Sequence, residues 1–186
     1  MENTHETLTS QAPAKALALT GLFAALSCAG TLALQVPSPT GGYLNLGDAV
    51  VILGAWLLGP AYGAVAGGIG PAMADLLSGY AAYVPATLII KALMAVTAAG
   101  LYQALGKRGL ILCAAAAEIP MVAGYWLFDA LLVSLSSGAA LPLCLAGSAA
   151  GIPSNLVQAV FGAAASTLLA MALRRSTAVR RQFPRL

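Results

Sequence analysis

Five ionisable residues stand within or at the edge of long apolar stretches of this chain: Asp48, Asp75, Lys91, Glu118 and Asp129. A charge in an apolar span is costly, so each such group needs a partner or a task. Near them lie the neutral hydrogen-bonding side chains Asn45, Asn155 and Gln158, and the aromatic ones Tyr43, Tyr80, Tyr83, Tyr125 and Trp126. Spacing sorts them. Glu118, Met121, Tyr125 and Asp129 follow steps of three and four, which a helix turns into one face. Asn155 and Gln158 are three apart and share a face in the same way. A few polar groups among aromatic walls suit a pocket for a small flat heterocycle.

The same inventory excludes other chemistry. His5, the single histidine, lies in a polar N-terminal stretch, and Cys28, Cys113 and Cys144 are far apart. No metal site or disulfide framework is expected from that pattern. No Ser/His/Asp set, HExxH or Walker A lysine motif occurs, so the chain is not expected to be an enzyme or to use ATP itself. The net charge of +3 leaves no footprint for nucleic acid. The basic residues gather in the C-terminal "RRSTAVRRQFPRL", which reads as a tail beside an anionic lipid leaflet.

The elements that must position these residues follow from composition. Of 186 residues, 60% are hydrophobic and only 8% charged, with a mean hydropathy of +0.87. Soluble domains carry about 25% charged residues, so this is an integral membrane protein. The pattern predicts six helices, over about 14–34, 48–58, 61–78, 85–105, 110–136 and 150–173. The second is short for a full span. Pro and Gly break the chain between them, and "SGAALPLCLAGS" reads as a weakly polar loop. "MENTHETLTSQAP" is polar rather than the basic start of a signal peptide, so the first helix is expected to be retained. The expected organisation is a polar tail over 1–13, a six-helix membrane domain over 14–173 and a basic tail over 174–186. Lys15, Lys107, Arg108 and the C-terminal arginines then share one side, and the opposite loops carry no Lys or Arg. The positive-inside rule makes both termini cytoplasmic. Most of the candidate polar residues fall in the outer half, with Glu118 nearer the middle.

Several residues admit a structural role beside the functional one. Lys91 can serve the pocket, snorkel to the outer surface, or pair with Asp75 or Asp129. Asp48 can reach the pocket rim or cap the second helix. The tyrosines can stack on a ligand or anchor helix ends, and the Asn155 and Gln158 amides can bind a ligand or other helices. Small residues at every fourth position, Gly21, Ala25, Ala29 and Ala33 on the first helix and Gly63, Gly67 and Ala74 on the third, permit close helix approach. They serve either packing within the bundle or docking to a second membrane protein.

Four segments, "ALTGLFAAL", "PTGGYLNLGDAVVILGAWLLGPAYGAVAGGIGPAMADLLSGYAAYVPATLIIKAL", "EIPMVAGYWLFDA" and "IPSNLVQAVFG", resemble the substrate-binding S components of energy-coupling factor (ECF) vitamin transporters. The likeness is to the riboflavin-type branch, which includes hydroxymethylpyrimidine-type members, and covers about 14–173. It implies a six-helix binding protein in the cell membrane that works with a transmembrane coupling subunit and two ATPases. In the family a small-residue pair on the first helix packs on the coupling subunit, and the matching positions here are Gly21 and Ala25. The ligand lies beneath the loop between the first two helices, and toppling of the loaded subunit releases it inside. The substrate-binding set expected here is Asn45, Asp48, Asp75, Tyr83, Lys91, Glu118, Tyr125, Asp129, Asn155 and Gln158. Acids and amides with one lysine and no arginine favour a small neutral or weakly basic ring, such as hydroxymethylpyrimidine or pyridoxine. Riboflavin, and a stand-alone proton-coupled carrier, are the alternatives.

Overall fold

The computed structural model describes residues 13–183. The expected polar tail, with His5, lies outside the described residues but for Pro13, as do the last three positions. The chain forms α1 (Pro13–Ala33), a small hairpin of β1 (Val36–Pro37) and β2 (Tyr43–Leu44), α2 (Gly47–Leu77), α3 (Val84–Leu105), α4 (Leu110–Ser137), α5 (Leu141–Ser148), α6 (Ile152–Leu173) and α7 (Thr177–Gln182). Five stretches, 14–33, 47–77, 84–105, 110–137 and 141–173, are long and apolar enough to cross a membrane. Their outward faces are apolar too: Ile119 is 66% exposed and Val160 72%. Such a surface is suited to hydrocarbon rather than water.

The expected second and third helices are the two arms of α2. Gly59 interrupts the helix with φ 81° and ψ 179°, a conformation that glycine adopts at little steric cost. Pro60 then opens the second arm with its missing N–H at a tolerated position. A Cβ placed at Gly63 would lie 2.7 Å from the Ala55 Cα, and one at Gly67 would lie 2.9 Å from a Val51 methyl. Those pairs are symmetric about Gly59, so the arms run antiparallel and the bundle has six passes. The arm 47–58 is about 18 Å long and the arm 60–77 about 27 Å, at 1.5 Å per residue. The start of α2 is therefore set about 9 Å below the end of its second arm. That shortfall draws the hairpin and Asn45 down into the bundle.

The two small-residue stripes have different roles. Gly63, Gly67 and Ala74 are buried inside the bundle, where Gly67 also meets Ala95 of α3. On α1 the buried face is Ala16, Thr20, Ser27 and Thr31, with Ala24 and Ser27 seated against Gly70. Gly21, Ala25, Ala29 and Ala33 face outward, and a Cβ at Gly21 would meet nothing within 4 Å.

Two segments depart from expectation. "LPLCLAGS" is not a loop but the helix α5, with its proline in the first turn, where no N–H is missed. The basic C-terminus is not simply a tail. Ser176 caps α7, accepting from the Val179 N–H at 3.4 Å, and Val179 and Phe183 pack against the bundle core. Alternating Arg pairs and apolar residues hide that short amphipathic turn in a sequence scan.

Candidate functional site

The polar residues separate into two layers. The upper layer lines a small cavity of about 30 Å³ walled by Ser38, Thr40, Gly42, Tyr43, Asn45, Asp75, Tyr83, Thr87, Tyr125, Asp129, Asn155 and Gln158. That is room for one or two waters. The hairpin roofs it. Ser38 and Gly42 close the tip through a backbone bond of 2.8 Å, and the Ser38 hydroxyl lies 3.2 Å from that of Ser154 at the start of α6. Thr40 donates to one Asp129 oxygen and Tyr83 donates to the other at 2.8 Å. Tyr43 donates to Asp75 Oδ1, whereas Asp75 Oδ2, buried, has no hydrogen-bond partner among the described residues. Thr87 and Tyr125 pair through their hydroxyls at 3.0 Å. Tyr80 meets Tyr43 at a tilt of 55° with ring centroids 4.7 Å apart, and Tyr83 meets Phe128 edge-on at 5.2 Å.

Below this lies an ionic layer. Lys91 of α3 is fully buried and pairs with Asp48 Oδ1. Gln158 of α6 donates to Asp48 Oδ2 at 2.7 Å and accepts from the Asn45 N–H at 2.8 Å. The Lys91 ammonium also lies 5.5 Å from the centre of the Tyr125 ring, within reach of a cation–π attraction. Glu118 of α4 sits beside Asp48. A Cβ at Gly162 would run into Glu118 Oε1 and come within 2.9 Å of the Asp48 Cβ, so glycine there makes room for the two carboxyls.

The shared face of α4 holds, since Glu118, Met121 and Asp129 all point inward. Asn45, Asp75, Tyr83, Tyr125, Asp129, Asn155 and Gln158 meet at one cavity as expected. Asp48, Lys91 and Glu118 are not on its wall. Asp48 is no cap either: the capping position is Leu46, and no side chain caps that end. Lys91 neither snorkels nor pairs with Asp75 or Asp129, because Asp48 from the sunken start of α2 reaches it first. Trp126 leaves the wall as well, donating its indole N–H to the Leu145 carbonyl of α5 at 2.9 Å. Sequence reasoning missed Ser38, Thr40 and Thr87, whose hydroxyls carry no signal until the hairpin and α3 bring them to the carboxylates.

Burial first, and then the neighbouring Asp75, raises the Tyr43 phenol well above its ordinary 10.0. Burial, followed by Asp129, does the same to Tyr83. The folded protein therefore keeps two protons that the unfolded chain gives up above pH about 10. Stability from these groups is intact below that pH and falls as pH rises beyond it. A Tyr43→Phe, Tyr83→Phe double variant is expected to show a shallower alkaline loss than the parent in melts run from pH 8 to 11. Parallel curves would refute this.

The bundle thus brings a hydrogen-bonded polar site together at one end of a set of apolar helices, and no group of three or more His, Cys, Asp or Glu side chains is placed to hold a metal among the described residues. The family model described as "ECF-type riboflavin transporter, S component" matches residues 12–175, and the chain belongs to that family. The family is one of transport components and not of enzymes. The chain is also 38% identical over 97 residues to a Pyrococcus woesei protein described as "Uncharacterized protein in gap 3'region". That stretch covers 51% of this chain and 65% of the relative.

Proposed function

We propose that this subunit captures a vitamin or vitamin precursor with a small, weakly basic ring, of hydroxymethylpyrimidine or pyridoxine type, for ATP-driven uptake. The observation that carries this reading is the charge of the cavity wall. Among the described residues, Asp75 and Asp129 are the charged ones on that wall, since Lys91 is withdrawn into the layer below. A wall with acceptors and no cation suits N–H and O–H donors and disfavours phosphate or carboxylate. The tyrosines offer ring faces for the heterocycle. Asn45, Asn155 and Gln158 add amide contacts, while from beneath Asp48 holds Gln158 and Lys91 holds Asp48 at the start of α2. The cavity is too small for any vitamin as it stands, so loading requires the hairpin to lift and Thr40 to release Asp129.

Riboflavin, named in the family's description, is the second reading. Its ribityl hydroxyls match the carboxylate acceptors, but its three-ring system demands a larger opening.

Energy would come from a transmembrane coupling subunit with two ATPases, and the chain itself needs no cofactor. The outward stripe at Gly21 and Ala25 is the proposed docking face, and both termini are cytoplasmic, as the gathering of basic residues at one end supports. Ala25→Leu is expected to abolish assembly with the coupling subunit on gel filtration while leaving ligand affinity unchanged. An intact complex would remove this face from docking.

The test of the whole reading is mass spectrometry of ligand retained after mild purification, followed by calorimetry with hydroxymethylpyrimidine, pyridoxine and riboflavin. Uptake into liposomes by this subunit alone, driven by a proton gradient, would overturn it in favour of a stand-alone carrier.

A further inference from the structure

We propose that the end of the bundle where α1 begins and α7 lies is a binding surface for anionic phospholipid headgroups, organised by α7. Lys15, Lys107, Arg174, Arg175, Arg180 and Arg181 are at least partly exposed there. All four described acids, Asp48, Asp75, Glu118 and Asp129, are buried in the interior. Among the described residues the sole ion pair is the internal one between Lys91 and Asp48. The described surface therefore carries cations alone, with no internal counter-charge.

Their placement is ordered rather than scattered. Lys15 stands at the start of α1, Lys107 in the turn after α3, and Arg174 and Arg175 just past α6. From there the chain crosses the end of the bundle. Val179 packs against the main core, and Phe183 against both that core and the cluster of Leu58, Ala66, Leu19 and Phe23 at the elbow of α2. Arg174 is steadied by a 3.3 Å bond from Nη2 to the Tyr102 hydroxyl. With Val179 and Phe183 turned inward, α7 leaves Arg180 and Arg181 exposed beside the end of α6, where the apolar span stops. Guanidinium groups held at that level match phosphate in charge and in their forked geometry. Basic residues beside a membrane span are attracted to anionic lipid in this way. An acidic protein face offers the same charge, but a bilayer supplies phosphate to the whole rim at once, from Lys15 to Arg181. The inference uses no feature of the ligand cavity and stands or falls separately from the transport reading.

The test uses the full chain in nanodiscs of phosphatidylglycerol with phosphatidylcholine, or of phosphatidylcholine alone, with retained lipid read by native mass spectrometry. The Arg175→Gln, Arg180→Gln, Arg181→Gln triple variant is expected to hold phosphatidylglycerol roughly a hundredfold more weakly, with an unchanged melting midpoint in phosphatidylcholine. Raising salt on the unaltered protein is expected to release the same lipid through screening, a readout that needs no substitution. Retention that is indifferent to both changes would overturn the proposal. So would a triple variant that keeps its phosphatidylglycerol but loses assembly with the ATPase-bearing complex, since the surface would then be a protein-docking face.

Discussion

Asp48→Leu is expected to destabilise the folded protein by about 3–5 kcal/mol, because it leaves the Lys91 ammonium buried without its counter-charge. Lys91 has no water to turn to, being 0% exposed, and Gln158 loses the oxygen that orients its amide. Lys91→Met is expected to cost as much or nearly so, since it strands two carboxyls, Asp48 and Glu118, beside each other. Asp48→Leu with Lys91→Met removes both charges, and a buried pair replaced by apolar side chains of similar size is often close to neutral. The double variant is therefore expected to recover most of what either single one loses, which makes the pair strongly non-additive. Denaturation in a fixed detergent, read as a double-mutant cycle, measures this. Single variants within about 1 kcal/mol of the parent would mean that the ion pair is solvated like one at a surface.

Asp75→Asn is expected to weaken ligand binding by about 1.5–3 kcal/mol, roughly 10- to 150-fold, the worth of a hydrogen bond to a charged group. Asp75 lines the cavity and its buried Oδ2 has no hydrogen-bond partner among the described residues, whereas both oxygens of Asp129 are already engaged by Thr40 and Tyr83. The two carboxylates are thus unequal. A ligand donor meets Asp75 directly but must displace Thr40 to reach Asp129. Asp129→Asn is accordingly expected to change affinity less and to loosen the hairpin more, seen as faster association. Calorimetry with stopped-flow binding separates the two effects. Equal losses of affinity at both positions would contradict the asymmetry.

Much of this architecture was legible in the residues. Helix positions followed from apolar runs broken by Gly and Pro, because a membrane span must be helical and long. The inward face of α4 followed from steps of three and four. What escaped the sequence was local in origin. Helix α5 is short, lies in a stretch with no polar rhythm, and is anchored through the Trp126 bond to Leu145, which no pattern announces. The small hairpin has two residues in each strand, too few to show alternation. The stripes on α1 and on the second arm of α2 look alike as text. Only the packing of Ala24 and Ser27 against Gly70 showed that one faces in and the other out.

The opening set of ionisable residues marks the same division. Residue types alone determined that a membrane bundle with these groups must pair or use each of them, because a lone charge in an apolar span is too costly to keep. Which ones pair and which ones face the cavity was decided by tertiary structure. Gly59 reverses α2 after a short first arm, and the depth this imposes on Asp48 delivers it to Lys91 and Gln158. Asp75 and Asp129, on longer helices that reach the outer end, are left to the cavity. That difference is one of height along the bundle, and height depends on how unequal helices are packed side by side.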